Sequence, residues 1–308
     1  MSNAIKIVEV GPRDGLQSER GVISVAHKIA LIQQLYAAGL RSIEVGSFVS
    51  PQAVPQMATT AEVVARLSTR GHSQSNPLAD WMVLVPNEQG MHAAIKAGVR
   101  HVAIFTAASE TFTQRNIRCS ISESLERFGP IMELAREHKM RVRGYVSCVC
   151  GCPYEGAVAP AIVAQVAEQL MTLGCEEISL GDTLGVGTPT GWRHVLQAVG
   201  IGVPLRQIAV HCHDTYGQAI ANIREALTLG VCTVDSSIAG LGGCPYAPGS
   251  SGNVATEDVV YLLKGEGLDT GVQLPLLIET ACFVRDTLGL PIHSKVSLAM
   301  QGHFALAT

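Results

Sequence analysis

Short runs that are almost wholly apolar alternate along the chain with longer stretches in which apolar residues recur at helical spacing. The runs are IKIVEV from Ile5, SIEVG from Ser42, WMVLVP from Trp81, HVAIFT from His101, RVRGYVS from Arg141, EISLGD from Glu177, QIAVHCH from Gln207 and CTVDSSI from Cys232. Strands buried on both faces read as continuous apolar segments, so the pattern predicts a parallel sheet covered by helices. Eight such units predict closure into a (β/α)8 TIM barrel, with an open doubly wound sheet as the alternative. Four strings echo one another: AAGLRSIEVG, KAGVRHVAIF, TLGCEEISLG and TLGVCTVDSS. Each puts a glycine between a helix and a strand, where a left-handed cap turns the chain back into the sheet, and together they mark every second strand. A glycine-rich loop, GLGGCPYAPGSSGN, follows the eighth run, and extra C-terminal helices are predicted over about 254–263 and 274–287. No linker interrupts the pattern, so residues 1–308 are expected to form a single domain with those helices packed on the barrel.

Composition narrows the possible partners. Hydrophobic residues are 47% of the 308 and charged ones 16%, enough for a large core. The formal charge of −4, without a basic block, argues against nucleic acid and for a small-molecule substrate. Mean hydropathy is +0.26, yet no stretch approaches the roughly 20 apolar residues of a membrane span. The first strand begins close to Met1 and the nine cysteines lack the spacing of a disulfide scaffold, so a reducing cytoplasm is the expected setting.

In such a barrel the chemistry gathers where strands end. Arg13 and Asp14 follow the first strand, Glu44 ends the second, Asp182 the sixth, His211 and His213 the seventh, and Cys244 and Asn253 follow the eighth. Two histidines two apart on a strand point to the same side. Closure brings the first, seventh and eighth strands together, so Asp14, His211, His213 and Asn253 can converge on one cation. Mixed nitrogen and oxygen donors suit Mg2+ or Mn2+, with zinc as the runner-up. An HxH pair alone is also what a packed strand shows. Glu44 alternates with Ile43 and Val45 and is expected to face inward, with Arg13 or a metal-bound water as partner; Asp182 is read with the same geometry. Arg13 next to Asp14 is open to the reading of a mere surface ion pair, but its position beside a metal gives more weight to stabilisation of an enolate oxygen. Cys244, among glycines, fits a gating acid or base, or else an inert small hydrophobe. The C-x-C-x-C run at Cys148, Cys150 and Cys152 reads as strand packing running into a loop.

Six segments carry a resemblance: VEVGPRDGLQ from Val8, SFVSPQAVPQM from Ser47, RGYVSC with GCPYEG, SLGDTLGVGTP from Ser179, VHCHDTYGQA from Val210 and GLGGCPYAPGSSGNVATEDVVY from Gly240. Over about residues 5–265 the chain resembles the 3-hydroxy-3-methylglutaryl-CoA lyase family. The resemblance implies a divalent ion on Asp14, His211, His213 and Asn253, an enolate steadied by Arg13, and Cys244 as a catalytic acid or base supported by Glu44, Asp182 and His211. It further implies substrate and CoA contacts from Ser47, Asn116, Ser179 and Arg20, the last a departure where some relatives carry Lys. The implied reaction releases acetyl-CoA and acetoacetate from an acyl-CoA without an organic cofactor, and leaves room for a homodimer. A Claisen-type synthase would carry a further C-terminal domain, a pyruvate aldolase has no use for the Cys244 loop, and a catalytically silent barrel has none for Arg13 and Cys244 together.

Overall fold

Eight parallel strands pair in sequence order and the eighth returns to the first, closing a barrel in the computed structural model, which describes residues 4–19, 21–69, 79–243 and 252–306. The strands are β1 (Lys6–Glu9), β2 (Ser42–Ser47), β3 (Asp80–Leu84), β4 (His101–Ala107), β5 (Arg141–Ser147), β6 (Glu177–Asp182), β7 (Ile208–Cys212) and β8 (Thr233–Ser236). Each falls on one of the apolar runs. The ring of helices comprises α1 (Val25–Ala37), α2 (Thr60–Thr69), α3 (Glu88–Lys96), α4 (Glu110–Ile117), α5 (Ile121–Glu137), α6 (Pro160–Leu173), α7 (Pro189–Val199) and α8 (Ala219–Leu229). Beyond β8 come α9 (Thr256–Gly265) and α10 (Leu274–Asp286), close to the expected bounds, and a third helix, α11 (Lys295–Leu306), that the pattern did not suggest. No helix among the described residues is long and apolar enough to cross a membrane.

The echoed glycines do what their position demands: Gly39, Gly98, Gly174 and Gly230 have φ of 106°, 77°, 112° and 104°, each at a helix end just before a strand. A side chain there would be strained in the left-handed region.

Two cores result from closure. The larger lies between the barrel wall and the helices, where Ile178, Leu180, Ile208 and Val210 meet residues such as Leu170 and Trp192. The smaller lines the lumen and contains Val8, Val10, Met82, Leu84, Ala103 and Tyr145. Charges fill the rest of the lumen. Arg143, wholly buried, grips Asp235 with two hydrogen bonds of 3.0 and 2.6 Å and lies 2.8 Å from Glu177, which also meets Lys6 at 3.1 Å. A buried ion pair is tolerated only where further hydrogen bonds satisfy it, as Ser179 and His211 do for Asp235.

Candidate metal centre

The peptide after β1 forms a single π-helical turn, Gly11–Gly15, because the amides of Arg13, Asp14 and Gly15 all donate to Val10 O, at 3.1, 2.7 and 3.2 Å. That turn delivers Arg13 and Asp14 together to the mouth. It is braced from outside the lumen by Glu9, whose carboxylate accepts from the amides of Gly11 and Ile238, both at 2.8 Å, and from Thr256 Oγ1 at 2.6 Å. Burial raises the Glu9 pKa to about 7 in spite of those bonds.

Asp14, His211 and His213 each bring a ligand atom within 4.8 Å of the others, the one such group among the described residues. Asn253 joins them by donating Nδ2 to Asp14 Oδ2 at 2.9 Å and to Leu241 O at 3.1 Å. Backbone bridging of His213 to Asn253 links the end of β7 to the loop after β8 and fixes that approach. His213 is buried, and beyond a backbone hydrogen bond to Thr183 its ring nitrogens have no side-chain hydrogen-bond partner, so one is left for a cation to satisfy. Burial, then the neighbouring His211, pushes the His213 pKa down to about 4, and a neutral imidazole is the form that ligates. For Asp14 burial works upward, but Arg13 and the two imidazoles prevail and lower it to about 2. The donor set therefore fits a divalent cation.

Around this triad the lumen supplies orientation. Asp235 Oδ2 sits 3.3 Å from His211 Nδ1, leaving Nε2 to face Asp14 Oδ2 at 3.9 Å. A carboxylate on the far nitrogen holds the tautomer and ring plane of a metal-binding histidine. Burial opposes charge on His211, yet the hydrogen bond it donates to Asp235 and that carboxylate's charge prevail and raise its pKa. For Asp235 itself burial is outweighed by Arg143 and His211, which hold it well below the usual carboxylate range. Converting Asp235→Asn should leave the buried Arg143 charge short of a partner and lower unfolding free energy by about 3–5 kcal/mol. Urea denaturation giving a loss under about 1 kcal/mol would contradict this account of the lumen.

Arg13 lies in a fork: Nε and Nη2 each meet Glu44 Oε2 at 2.7 Å, and Nη1 meets Asp14 Oδ1 at 2.5 Å. Its guanidinium stacks 5.5 Å from the Tyr145 ring centre. Glu44 is fully buried on the inward face, as its alternation predicts, but sits within β2 beside a bulge at Gly46 rather than at the strand's tip. Burial raises its pKa although Arg13 pulls it down, and its Oε1 has no partner.

The other expected residues separate. Asp182 does not share the geometry of Glu44: it stands on the face of Ile178 and Leu180, toward the helices, and is paired in register with Cys212. Its oxygens accept from the amides of Val186 at 3.2 Å and Gly187 at 2.7 Å, so it anchors the β6–α7 loop, with burial raising its pKa to about 6. Ser179 faces the lumen but is wholly buried and spends its hydroxyl on Asp235 at 2.8 Å. Ser47 is buried at the end of β2 with no partner for Oγ, beside a cavity of about 420 Å³ that Val49, Thr60 and Asn87 also line. Asn116 is exposed on α4. Arg20 and Cys244 lie outside the described residues; the eight described cysteines are unpaired, and Cys148 and Cys152 pack in a small apolar cluster. Arg143, Tyr145 and Asp235 went unread, although a charged residue inside an apolar strand run was a signal present in RVRGYVS and CTVDSSI.

A family model described as HMGL-like matches residues 4–284. The chain belongs to the HMGL-like family. It is 55% identical over 295 residues to the mitochondrial hydroxymethylglutaryl-CoA lyase of Bos taurus, covering 96% of this chain and 89% of that protein. Identity is 53% to the 3-hydroxy-3-isohexenylglutaryl-CoA/hydroxy-methylglutaryl-CoA lyase of Pseudomonas aeruginosa, with 96% and 97% of the two chains covered. The crystal structure of hydroxymethylglutaryl-CoA lyase from Pseudomonas aeruginosa superposes with a TM-score of 0.94 at 52% identity, over 98% of this chain and 99% of that one. This HMGL-like chain therefore shares its relatives' barrel over nearly its whole length.

Proposed function

We propose that the protein cleaves the C2–C3 bond of 3-hydroxy-3-methylglutaryl-CoA, releasing acetyl-CoA and acetoacetate, with Asp14, His211, His213 and Asn253 holding Mg2+ or Mn2+. The observation that carries this reading is the placing of the Arg13 guanidinium, locked by Glu44, directly against the Asp14–His211–His213 group. Bound there, a divalent ion supplies Lewis acidity that makes the 3-hydroxyl of the substrate more acidic.

The chain's own groups account for the remainder. Each terminal nitrogen of Arg13 keeps a second N–H beyond those used for Asp14 and Glu44, and these can bind the thioester oxygen as it becomes an enolate oxygen. Glu44, with one free oxygen and a raised pKa, is suited to relay the hydroxyl proton. Loss of that proton lets the C2–C3 electron pair pass to C2, and acetoacetate leaves. Cys244 then protonates C2, giving acetyl-CoA, and the proton taken up by Glu44 returns to the Cys244 thiolate through solvent, so atoms and charge balance over the turnover with no further reactant. His211, oriented by Asp235, keeps the centre in register. Ser47 and Asn116, with Arg20, contact the CoA thioester, whereas Asp182 acts through the loop it anchors.

The deciding assay is acetoacetate release from 3-hydroxy-3-methylglutaryl-CoA with Mg2+ added after exhaustive chelation. Absence of product with both Mg2+ and Mn2+ would sink the proposal. Within it, His213→Ala should weaken metal affinity by at least about 100-fold, since even outer partners of a ligand are worth 10–100-fold. Calorimetric titration showing unchanged affinity would remove His213 from the ligand set.

A further inference from the structure

The mouth of the barrel is divided by polarity. Arg13, Asp14, His211, His213 and Asn253 occupy the side formed by β1, β7 and β8. Across the lumen, Leu84 on β3 and Phe105 on β4 face inward, joined by Val49 just past β2. These three belong to the lumen cluster and make no part of the outer core's main body, except that Val49 touches both. Phe105 is only half buried, although it lies inside a closed barrel, so part of its ring is open in the mouth. Tyr145 joins the two sides: Phe105 is its register partner and a member of the same cluster, while its ring lies 6.2 Å from that of His211 and 5.5 Å from the Arg13 guanidinium.

A tertiary alcohol at the polar side has four groups to place. The hydroxyl belongs with the cation ligands, and the carboxylate and thioester arms each carry oxygen that needs polar partners or water. Only the alkyl group on C3 can be dehydrated without cost, and an apolar surface left open beside a polar constellation is what such a group would cover. We infer that Phe105, with Leu84 and Val49, forms the wall that receives the C3 alkyl substituent and sets the largest substituent the lyase accepts. This rests on the proposed C2–C3 cleavage.

The test compares kcat/KM for CoA thioesters of 3-hydroxy-3-methyl-, 3-ethyl- and 3-butylglutarate in the unchanged protein, Phe105→Ala and Val49→Ala. Removing the ring should move the butyl-to-methyl ratio at least about tenfold toward butyl, since a misfit of one methylene in an apolar pocket is worth about 10–200-fold. Val49→Ala should shift the ratio the same way by a smaller factor, and it reads the wall independently if Phe105→Ala does not fold. Metal affinity should stay unchanged in both. A ratio within twofold of the unchanged protein in every soluble variant, or one that moves toward methyl, overturns the inference. Failure of the unchanged protein to cleave the methyl thioester would instead strike the functional reading beneath it.

Discussion

Replacing Arg13 by lysine should lower kcat by about two to four orders of magnitude while metal affinity stays near normal, the range seen when a preorganised oxyanion donor is lost. The reason lies in shape rather than charge. Arg13 spends Nε and one terminal nitrogen on Glu44 and the other terminal nitrogen on Asp14, and these bonds fix the plane in which its remaining N–H groups point. Lysine would bring a single ammonium on a flexible stem, able to meet Glu44 or Asp14 but not to hold two donors at a set angle to a third oxygen. Burial also matters: Arg13 is 7% exposed, and its pKa is raised because the charges of Glu44 and Asp14 outweigh desolvation, so the positive charge is permanent. Its interaction with an anionic transition state is therefore little screened. Because Asp14 retains His211, His213 and Asn253 as neighbours, the ligand set should survive. The measurement is kcat at saturating Mg2+ beside a calorimetric metal titration. A lysine variant within about threefold of the original kcat would take Arg13 out of enolate stabilisation, and one that lost metal affinity in parallel would make it a support for Asp14 instead.

The strands were legible because parallel strands buried on both faces give unbroken apolar runs, and the echoed glycines were legible because helix exits need positive φ. The inward face of Glu44 followed from alternation with Ile43 and Val45, whose side chains are plainly apolar. Asp182 misled because its neighbour on the inward face is Gly181, which has no side chain to reveal the phase, while its true companions Leu180 and Ile178 lie two and four residues back. The lumen ion cluster was hidden for a different reason. Arg143 and Asp235 are 92 positions apart, and only closure of the barrel makes them partners, so neither residue's local pattern announces the other. The π-turn after β1 was equally silent, since it arises from three amides sharing one carbonyl rather than from any residue preference. As for α11, its apolar residues form no consistent stripe and Leu298 is left 54% exposed, which gives periodicity nothing to detect.

Cys244→Ser should reduce kcat by about two to four orders of magnitude without changing metal affinity or unfolding free energy, the usual effect of losing a proton-transfer group. Cys244 itself lies outside the described residues, but both stems of its loop are placed. Gly242 and Gly252 have φ of 116° and 66°, and a Cβ on Gly252 would stand 2.4 Å from Gly242 O. The two strands of the loop thus meet at a neck that only glycine permits. That neck adjoins Asn253, whose side chain bonds to Leu241 O just before it and to Asp14. The described ends of the loop thus adjoin Asn253 and Asp14, two of the proposed cation ligands, and Asp14 bonds Arg13, the group proposed to hold the enolate until it takes its proton. A thiol can deliver that proton near neutral pH, whereas a serine hydroxyl is a far weaker acid of similar size. The decisive comparison adds alkylation kinetics to turnover. In the unchanged protein iodoacetamide should abolish activity, and a non-cleavable analogue of the substrate should slow the loss. If the thiol is only a small hydrophobe, the serine variant will turn over at the ordinary rate and the analogue will protect nothing.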